Sequence, residues 1–171
     1  MVYQIRIAVL DDDKTELYKT EQMLYAYGER HPEHRFSISC YTETTTFMDE
    51  VCMDKDKVEW AYDILLLDIY LPDGNGIQCG KILRKRGFAG VIIYKSSTDE
   101  NYMEASAVNA MQYLIKPVSR EKLFETLDEA VEKVTAEPEL YFDGDGVQIQ
   151  AKEENRRKSI REFLFGWFYR N

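Results

Sequence analysis

Short apolar runs recur along the first two-thirds of the chain, each closed by a polar or charged residue. Ile5 to Leu10 (IRIAVL), Phe36 to Tyr41 (FSISCY), Ile64 to Leu67 (ILLL), Val91 to Tyr94 (VIIY) and Tyr113 to Ile115 (YLI) each have strand length. FSISCY alternates. ILLL does not, and four continuous apolar positions suit a strand covered on both faces, as in a parallel sheet. Helix-like stretches separate the runs. Thr15 to Tyr27 carries Leu17 and Leu24 seven apart, and Thr44 to Met53, Ile77 to Lys85 and Glu100 to Asn109 predict three more helices. Ser119 suits the N-cap of a last helix, where Leu123, Leu127, Val131 and Val134 recur at helical spacing. Gly28 and Pro32 mark GERHPEHR as a loop, DKDKVE is a polar connection, and Pro72, Gly74 and Gly76 break regular structure after the third strand.

Strand and helix thus alternate five times within the first 135 residues. The prediction is an α/β domain with a five-stranded parallel sheet and helices on both faces. Right-handed crossovers put the carboxyl ends of all strands on one edge, where open sheets of this kind bind ligands. The polar residues that close the strands collect there: Asp11 and Asp12, Asp68, Ser96 and Lys116. A turn-starting role explains any one of them, but explains four strand ends much less well.

Composition narrows the class. With 171 residues, 44% of them apolar, and a mean hydropathy of -0.47, the chain suits one soluble domain with a short appendage. No run approaches the roughly 18 apolar residues of a membrane span, and MVYQIRIAVLDDD lacks the apolar core of a secretory signal. The expectation is a cytoplasmic protein without a membrane partner. Cys40, Cys52 and Cys79 form no CxxC motif and read as inert thiols, while His31 and His34 read as solvated loop residues. The net charge of -9 is uneven. Residues 151–171 hold six basic and three acidic residues, which leaves -12 on the first 150. An acidic body repels nucleic acid and attracts divalent cations.

Several carboxylates at one edge repel one another, and a hard cation with oxygen ligands is the usual remedy. A carboxylate nucleophile, a metal, an ammonium group and a hydroxyl together suit phosphoryl transfer onto Asp68. Three nearby patterns fail on spacing. GNGIQCGK has Asn75 where a P-loop needs glycine and Ile82 where it needs Ser or Thr. Cys79 replaces the third glycine of GxGxxG, and DGDG lacks the later residues of a calcium loop. A hairpin turn between LYF and VQIQ is the better reading of that last stretch.

The DD at 11–12, LLLDIYLPDGNG around Asp68, YKSS around Ser96 and YLIKP around Lys116, in this order and at these intervals, resemble a response-regulator receiver domain over residues 3–135. The resemblance implies a flavodoxin-like (βα)5 fold. It implies that Asp68 accepts a phosphoryl group from a sensor histidine kinase. Asp11, Asp12, Asp68 and the backbone carbonyl of Tyr70 would hold Mg2+. Ser96 would be the switch hydroxyl, Lys116 the phosphate-pairing lysine and Tyr113 the switch aromatic, with Lys116-Pro117 at a junction where the family often has a cis bond. Asp13 leaves 12–13 open as the acid pair, and Ser97 is open as the hydroxyl. Such a protein is no enzyme beyond its own phosphoryl transfer and dephosphorylation. It would change the face made by its fourth helix, fifth strand and fifth helix, and form a homodimer when phosphorylated.

Residues 1–135 are thus the expected receiver and 136–171 an extension. ELYFDGDGVQIQ, from Glu139, resembles the opening strands of a LytTR-type DNA-binding domain, which needs about a hundred residues. RRKSIREFLFGWFYRN does not continue that pattern, so DNA binding is expected only through a fuller output domain. Transcriptional control is the leading reading, and a stand-alone receiver that binds a protein partner or relays phosphate is the alternative.

Overall fold

A computed structural model describes residues 2–54 and 59–136, and the backbone of 141–143 and 146–148. Its centre is a five-stranded parallel sheet built from β1 (Gln4–Leu10), β2 (Arg35–Tyr41), β5 (Ile64–Asp68), β8 (Val91–Ser96) and β9 (Gln112–Ile115), in the order β2-β1-β5-β8-β9. The expected α/β architecture is present, with the strand order of a doubly wound, flavodoxin-like sheet.

The pleat sorts the core into two layers. Ile5, Ile7 and Val9 of β1, Ile64 and Leu66 of β5, and Val91 and Ile93 of β8 face one side. There they meet Leu17 and Leu24 of α1 (Lys14–Arg30) and Leu123, Leu127 and Val131 of α5 (Arg120–Thr135). Ala8, Leu10, Leu65, Leu67, Ile92 and Tyr94 face the other side, against α2 (Thr44–Glu50), α3 (Gly76–Lys85) and α4 (Tyr102–Ala107). Period-two alternation in central strands with helices on both faces produces this division.

Several boundaries differ from the sequence reading. Helix α1 runs through Gly28 to Arg30, where GERHPEHR was expected to be loop throughout. His31 then caps it, with its ring against Tyr27 at 4.2 Å and its Nδ1 3.0 Å from Glu33. Helix α2 ends at Glu50, not Met53, because Cys52–Asp54 (β3) pairs antiparallel with Glu59–Trp60 (β4). Helix α4 occupies only Tyr102–Ala107 of the expected Glu100 to Asn109. Tyr70–Leu71 (β6) and Gly74–Asn75 (β7) form a small hairpin directly after Asp68. Its Asp73 carboxylate accepts from the Thr44 backbone N–H at 2.7 Å and from the Thr44 hydroxyl at 2.8 Å, and so caps α2, whose own N-cap Glu43 makes no such bond.

Cys40 is half-buried and Cys79 buried, both free, and burial pushes each thiol up to about 11, which fits the inert reading. The side chain of Cys52 lies outside the described residues. Tyr141–Asp143 (β10) pairs antiparallel with Gly146–Gln148 (β11), the hairpin expected there. Residues 149–171, including the aromatic segment, also lie outside the described residues. Among the described residues no helix is long and apolar enough to cross a membrane.

One glycine ties this frame to the carboxyl edge. The Gly76 N–H donates to Ile69 O at 3.0 Å, and a Cβ on Gly76 would stand 2.0 Å from the Asp68 carbonyl oxygen. Backbone cannot yield there as a flexible side chain can. Gly76→Ala is therefore expected to destabilise the chain by about 2 kcal/mol, within the range for overpacking. An unchanged urea midpoint would contradict this close packing.

Candidate functional site at the carboxyl edge of the sheet

The same alternation that sorts the core also gathers the charges. Continuing Ile5, Ile7, Val9 by two residues gives Asp11. Continuing Ile64, Leu66 gives Asp68, continuing Val91, Ile93 gives Lys95, and continuing Leu114 gives Lys116. All four side chains therefore leave the sheet on the α1/α5 side, just past the apolar layer. Ser96 has the opposite parity, that of Ile92 and Tyr94.

Asp11 is the hub. It is fully buried, and its Oδ2 accepts from Lys95 Nζ at 2.9 Å and from Lys116 Nζ at 3.0 Å. Lys116 Nζ also donates to Asp68 Oδ2 at 2.6 Å. Lys95, only 2% exposed, donates in addition to the hydroxyl of Thr20 on α1 at 3.1 Å. The other oxygens are held by backbone: Asp13 N–H donates to Asp11 Oδ1 at 3.1 Å, and Tyr70 N–H to Asp68 Oδ1 at 3.2 Å. Removing the Asp11 carboxylate would leave the buried Lys95 without its acid, a loss of the kind that typically costs about 3–5 kcal/mol, whereas Lys116 keeps a partner if either acid is lost.

The two buried acids respond in opposite directions. Burial pushes the Asp11 carboxyl up, but the Lys95 and Lys116 ammonium groups outweigh it and hold Asp11 below the ordinary carboxylate range. Burial also pushes Asp68 up; Lys116 opposes this, Asp11 adds to it, and the net result is a raised value. Burial lowers Lys116, but its bonds to Asp68 and Asp11 prevail and raise it. Burial thus outweighs the one ammonium group at Asp68, whereas two ammonium groups outweigh it at Asp11.

The structure places the residues between which the sequence leaves a choice in different surroundings. Asp13 is the N-cap of α1 and accepts from the Thr15 and Glu16 N–H groups at 2.8 and 3.2 Å. Asp11 and Asp12, in contrast, offer carboxylate oxygens that lie with one of Asp68 within 4.8 Å of one another. Ser96 is buried at the end of β8 and accepts from the Thr98 N–H at 3.3 Å, while Ser97 is exposed. Tyr113 is half-buried. Its hydroxyl donates to the Thr98 carbonyl at 2.7 Å, and its ring meets Tyr102 edge-on at 5.8 Å. Tyr70 is exposed, and its phenol accepts from the Asn101 side-chain amide at 2.6 Å. The Lys116-Pro117 bond is cis.

Lys95 is the site residue the sequence reading passed over. Its signal was its place two residues beyond Ile93 in a strand with apolar neighbours on both faces. Thr20 gave no comparable signal, since nothing in its helix distinguishes it from any half-polar position.

The three acids fit a hard divalent cation. Their oxygens are close enough to share one ion, the donor set is all oxygen, and three carboxylates face only two ammonium groups.

The family model for the response regulator receiver domain matches residues 7–128. Among curated relatives, the sensory transduction protein LytT of Bacillus anthracis is 28% identical over 102 residues, which are 60% of this chain and 42% of that protein. The transcriptional regulatory protein LytR of Staphylococcus aureus strain N315 is 35% identical over 99 residues, 58% of this chain and 34% of that protein. The chain thus spans less than half the length of these two relatives. Among solved structures, a CheY-like receiver domain protein from Methanospirillum hungatei JF-1 superposes with a TM-score of 0.64 at 22% identity, over 76% of this chain and 95% of that one. A DrrB receiver domain described as BeF3-activated gives 0.60 at 24%, over 75% and 98%. These two structures share the fold. The family match covers well over half the sequence and takes in all the strand ends that carry the acids, the hydroxyl and the lysines, and on it this chain belongs to the response regulator receiver domains of two-component signalling.

Proposed function

We propose that this chain is a phosphorylation-controlled switch in which Asp68 accepts a phosphoryl group from a sensor histidine kinase. The observation that carries the reading is the 2.6 Å contact between Lys116 Nζ and Asp68 Oδ2, beside the three clustered acids. The Asp68 carboxylate attacks phosphorus. The phosphorus–nitrogen bond of the kinase phosphohistidine breaks as the new phosphorus–oxygen bond forms, and the imidazole leaves with the electron pair and takes up a proton. Lys116 stays close enough to Asp68 to pair with a phosphoryl oxygen, a charge-assisted contact that positions the group and offsets its charge. Asp11, Asp12, Asp68 and the Tyr70 carbonyl would hold Mg2+, which supplies the neutralising charge that phosphoryl transfer needs.

Ser96 and Tyr113 form the readout. Both are tied to Thr98, Ser96 by its hydroxyl and Tyr113 by its phenol. A phosphoryl group that draws the Ser96 hydroxyl toward Asp68 loosens its bond to the Thr98 N–H and moves the loop that Tyr113 holds. The face made by α4, β9 and α5 then changes. Coupling of this kind is typically about 1–3 kcal/mol, whereas moving a population from 1:99 to 99:1 takes about 5.5 kcal/mol. Phosphorylation is thus completed by a partner, and a homodimer is the simplest one. The similarity to LytT and LytR supports transcriptional control as the output, with DNA bound through a fuller output domain. The chain acts as a single-turnover acceptor and not as an enzyme on a free substrate.

Mass spectrometry after incubation with acetyl phosphate and Mg2+ is expected to find one phosphoryl group, on Asp68, and none on Asp68→Asn. Labelling elsewhere, or undiminished labelling of the variant, would sink the acceptor assignment. The same variant carries an independent stability expectation. Asp68 has a raised folded pKa, so its ionisation costs stability in the metal-free protein. That cost is absent below the unfolded carboxylate value of about 4, grows as pH rises through the folded value, and is complete above it. Metal-free Asp68→Asn should melt about 2–4 °C above wild type at pH 7.5, roughly the change for 1 kcal/mol in a domain of this size. The gain should vanish toward pH 4, and a lower melting temperature at pH 7.5 would contradict the electrostatic account.

A further inference from the structure

The pocket holds a second buried ammonium group for which phosphate pairing by Lys116 leaves no task. Lys95 sits on β8 opposite Asp68 in the sheet register, 2% exposed, with its Nζ on Asp11 Oδ2 at 2.9 Å and on Thr20 Oγ1 at 3.1 Å. Lys116 already reaches both Asp11 and Asp68, so the pocket is not short of an amine to join its acids. A long, flexible side chain is held inside the core by a helix hydroxyl and aimed at the one carboxylate that two lysines share. Pairing with Asp11 and the bond to Thr20 offset the cost of burying this charge, but a well-packed apolar residue would often serve stability as well or better.

We propose that Lys95 is a positioning residue that serves as a built-in cation of the acidic pocket, competing with a divalent metal ion for the Asp11 carboxylate. This rests on the reading that Asp11, Asp12 and Asp68 hold such an ion. With Lys95 and Lys116 both on Asp11, three acids face two ammonium groups, and the pocket is left with one net negative charge. A pocket with one lysine would have two. Metal affinity rises with the net negative charge and the availability of the ligands, and Lys95 reduces both. The bare pocket therefore holds the ion weakly. Added negative charge at Asp68, as a phosphoryl group brings, strengthens the hold without any new ligand from the protein.

The test is calorimetric titration of the full chain with MgCl2, without phosphodonor, for wild type, Lys95→Met and Lys19→Met. Methionine keeps an unbranched side chain one atom shorter and removes the charge. Lys19 is an exposed lysine paired with Glu16, so its variant controls for the change in net charge. Lys95→Met is expected to bind Mg2+ at least about tenfold more tightly, a floor that a unit charge about 4 Å from a divalent ion exceeds even at a water-like dielectric; Lys19→Met should stay within about twofold of wild type, as screening of exposed charges requires. The rise in melting temperature caused by Mg2+ is read in parallel. A ligand that binds only the folded state stabilises it in proportion to its affinity, so this readout works even when the metal-free variant is unstable. A larger Mg2+-induced rise in Lys95→Met, including recovery of folding by Mg2+, supports the proposal. Equal or weaker binding together with an equal or smaller rise overturns it and leaves Lys95 a structural residue. Failure of both wild type and Lys95→Met to bind Mg2+ would instead overturn the metal reading of the pocket itself.

Discussion

Asp11 holds the carboxyl edge of this sheet together. Its carboxylate sits at the end of β1, and its Oδ2 takes one ammonium group from the end of β8 and another from just beyond β9; the second of these continues to Asp68 at the end of β5. Lys95 extends the same network to Thr20 on α1. Four strands and a helix are therefore joined at one place by charge-assisted bonds, at an edge where the apolar layers have ended. Nothing apolar could do this and still leave oxygen atoms facing a ligand. The network also pairs its charges: each buried ion has a partner, and Asp68, which Lys116 alone pairs, is the acid the proposed function expects to react.

The pleat determines what lies on each side of that network. Asp11, Asp68, Lys95 and Lys116 share the parity of the α1/α5 layer, while Ser96 shares the parity of the layer beneath α3 and α4. On the proposed function, ionic chemistry and conformational readout therefore occupy different faces of the same sheet edge. They are separated by single peptide units: Ile69 N–H donates to Lys95 O at 3.2 Å, and Lys116 N–H donates to Ser96 O at 2.8 Å. A change of charge on one face thus reaches the other through backbone that is already hydrogen-bonded, without a long chain of intermediates.

Much of this was legible in the sequence because it depends on local patterns. Uninterrupted apolar runs such as ILLL suit central strands, and the charged residues that close such runs predict where the charges meet. The cap at Ser119, which accepts from the Lys122 N–H at 3.2 Å, follows from one residue type at one position. What escaped depends on contacts distant in sequence. Gly28 looked like a breaker, but it lies within α1 with Phe36 packed against it. The β3–β4 and β6–β7 hairpins are too short to carry any periodicity. Lys95 was missed because the apolar run of the fourth strand stops at Tyr94, one residue before it, whereas the strand continues to Ser96. A lysine one residue past an apolar run looks the same whether its amine meets water or a carboxylate.

The bonds of the loop after β8 support placing the proposed readout beside this pocket. Thr98 is held at its N–H by Ser96 and at its carbonyl by Tyr113, and Asn101 is held by the phenol of Tyr70, two residues after Asp68. The loop is thus pinned to β8, to β9 and to the hairpin that follows β5. A phosphoryl group carries about -1.5 to -2 charge near neutral pH and three strong acceptor oxygens, far more than the single carboxylate charge it replaces. On the reading proposed for the site, the buried donors already serve Asp11 and Asp68, so the new oxygens must recruit one from nearby, and Ser96 is the buried hydroxyl at the end of the adjacent strand. Satisfying the new charge then requires loosening one of the loop's pins, so the local electrostatic demand and the movement of α4, which begins at Tyr102 just past this loop, are one event.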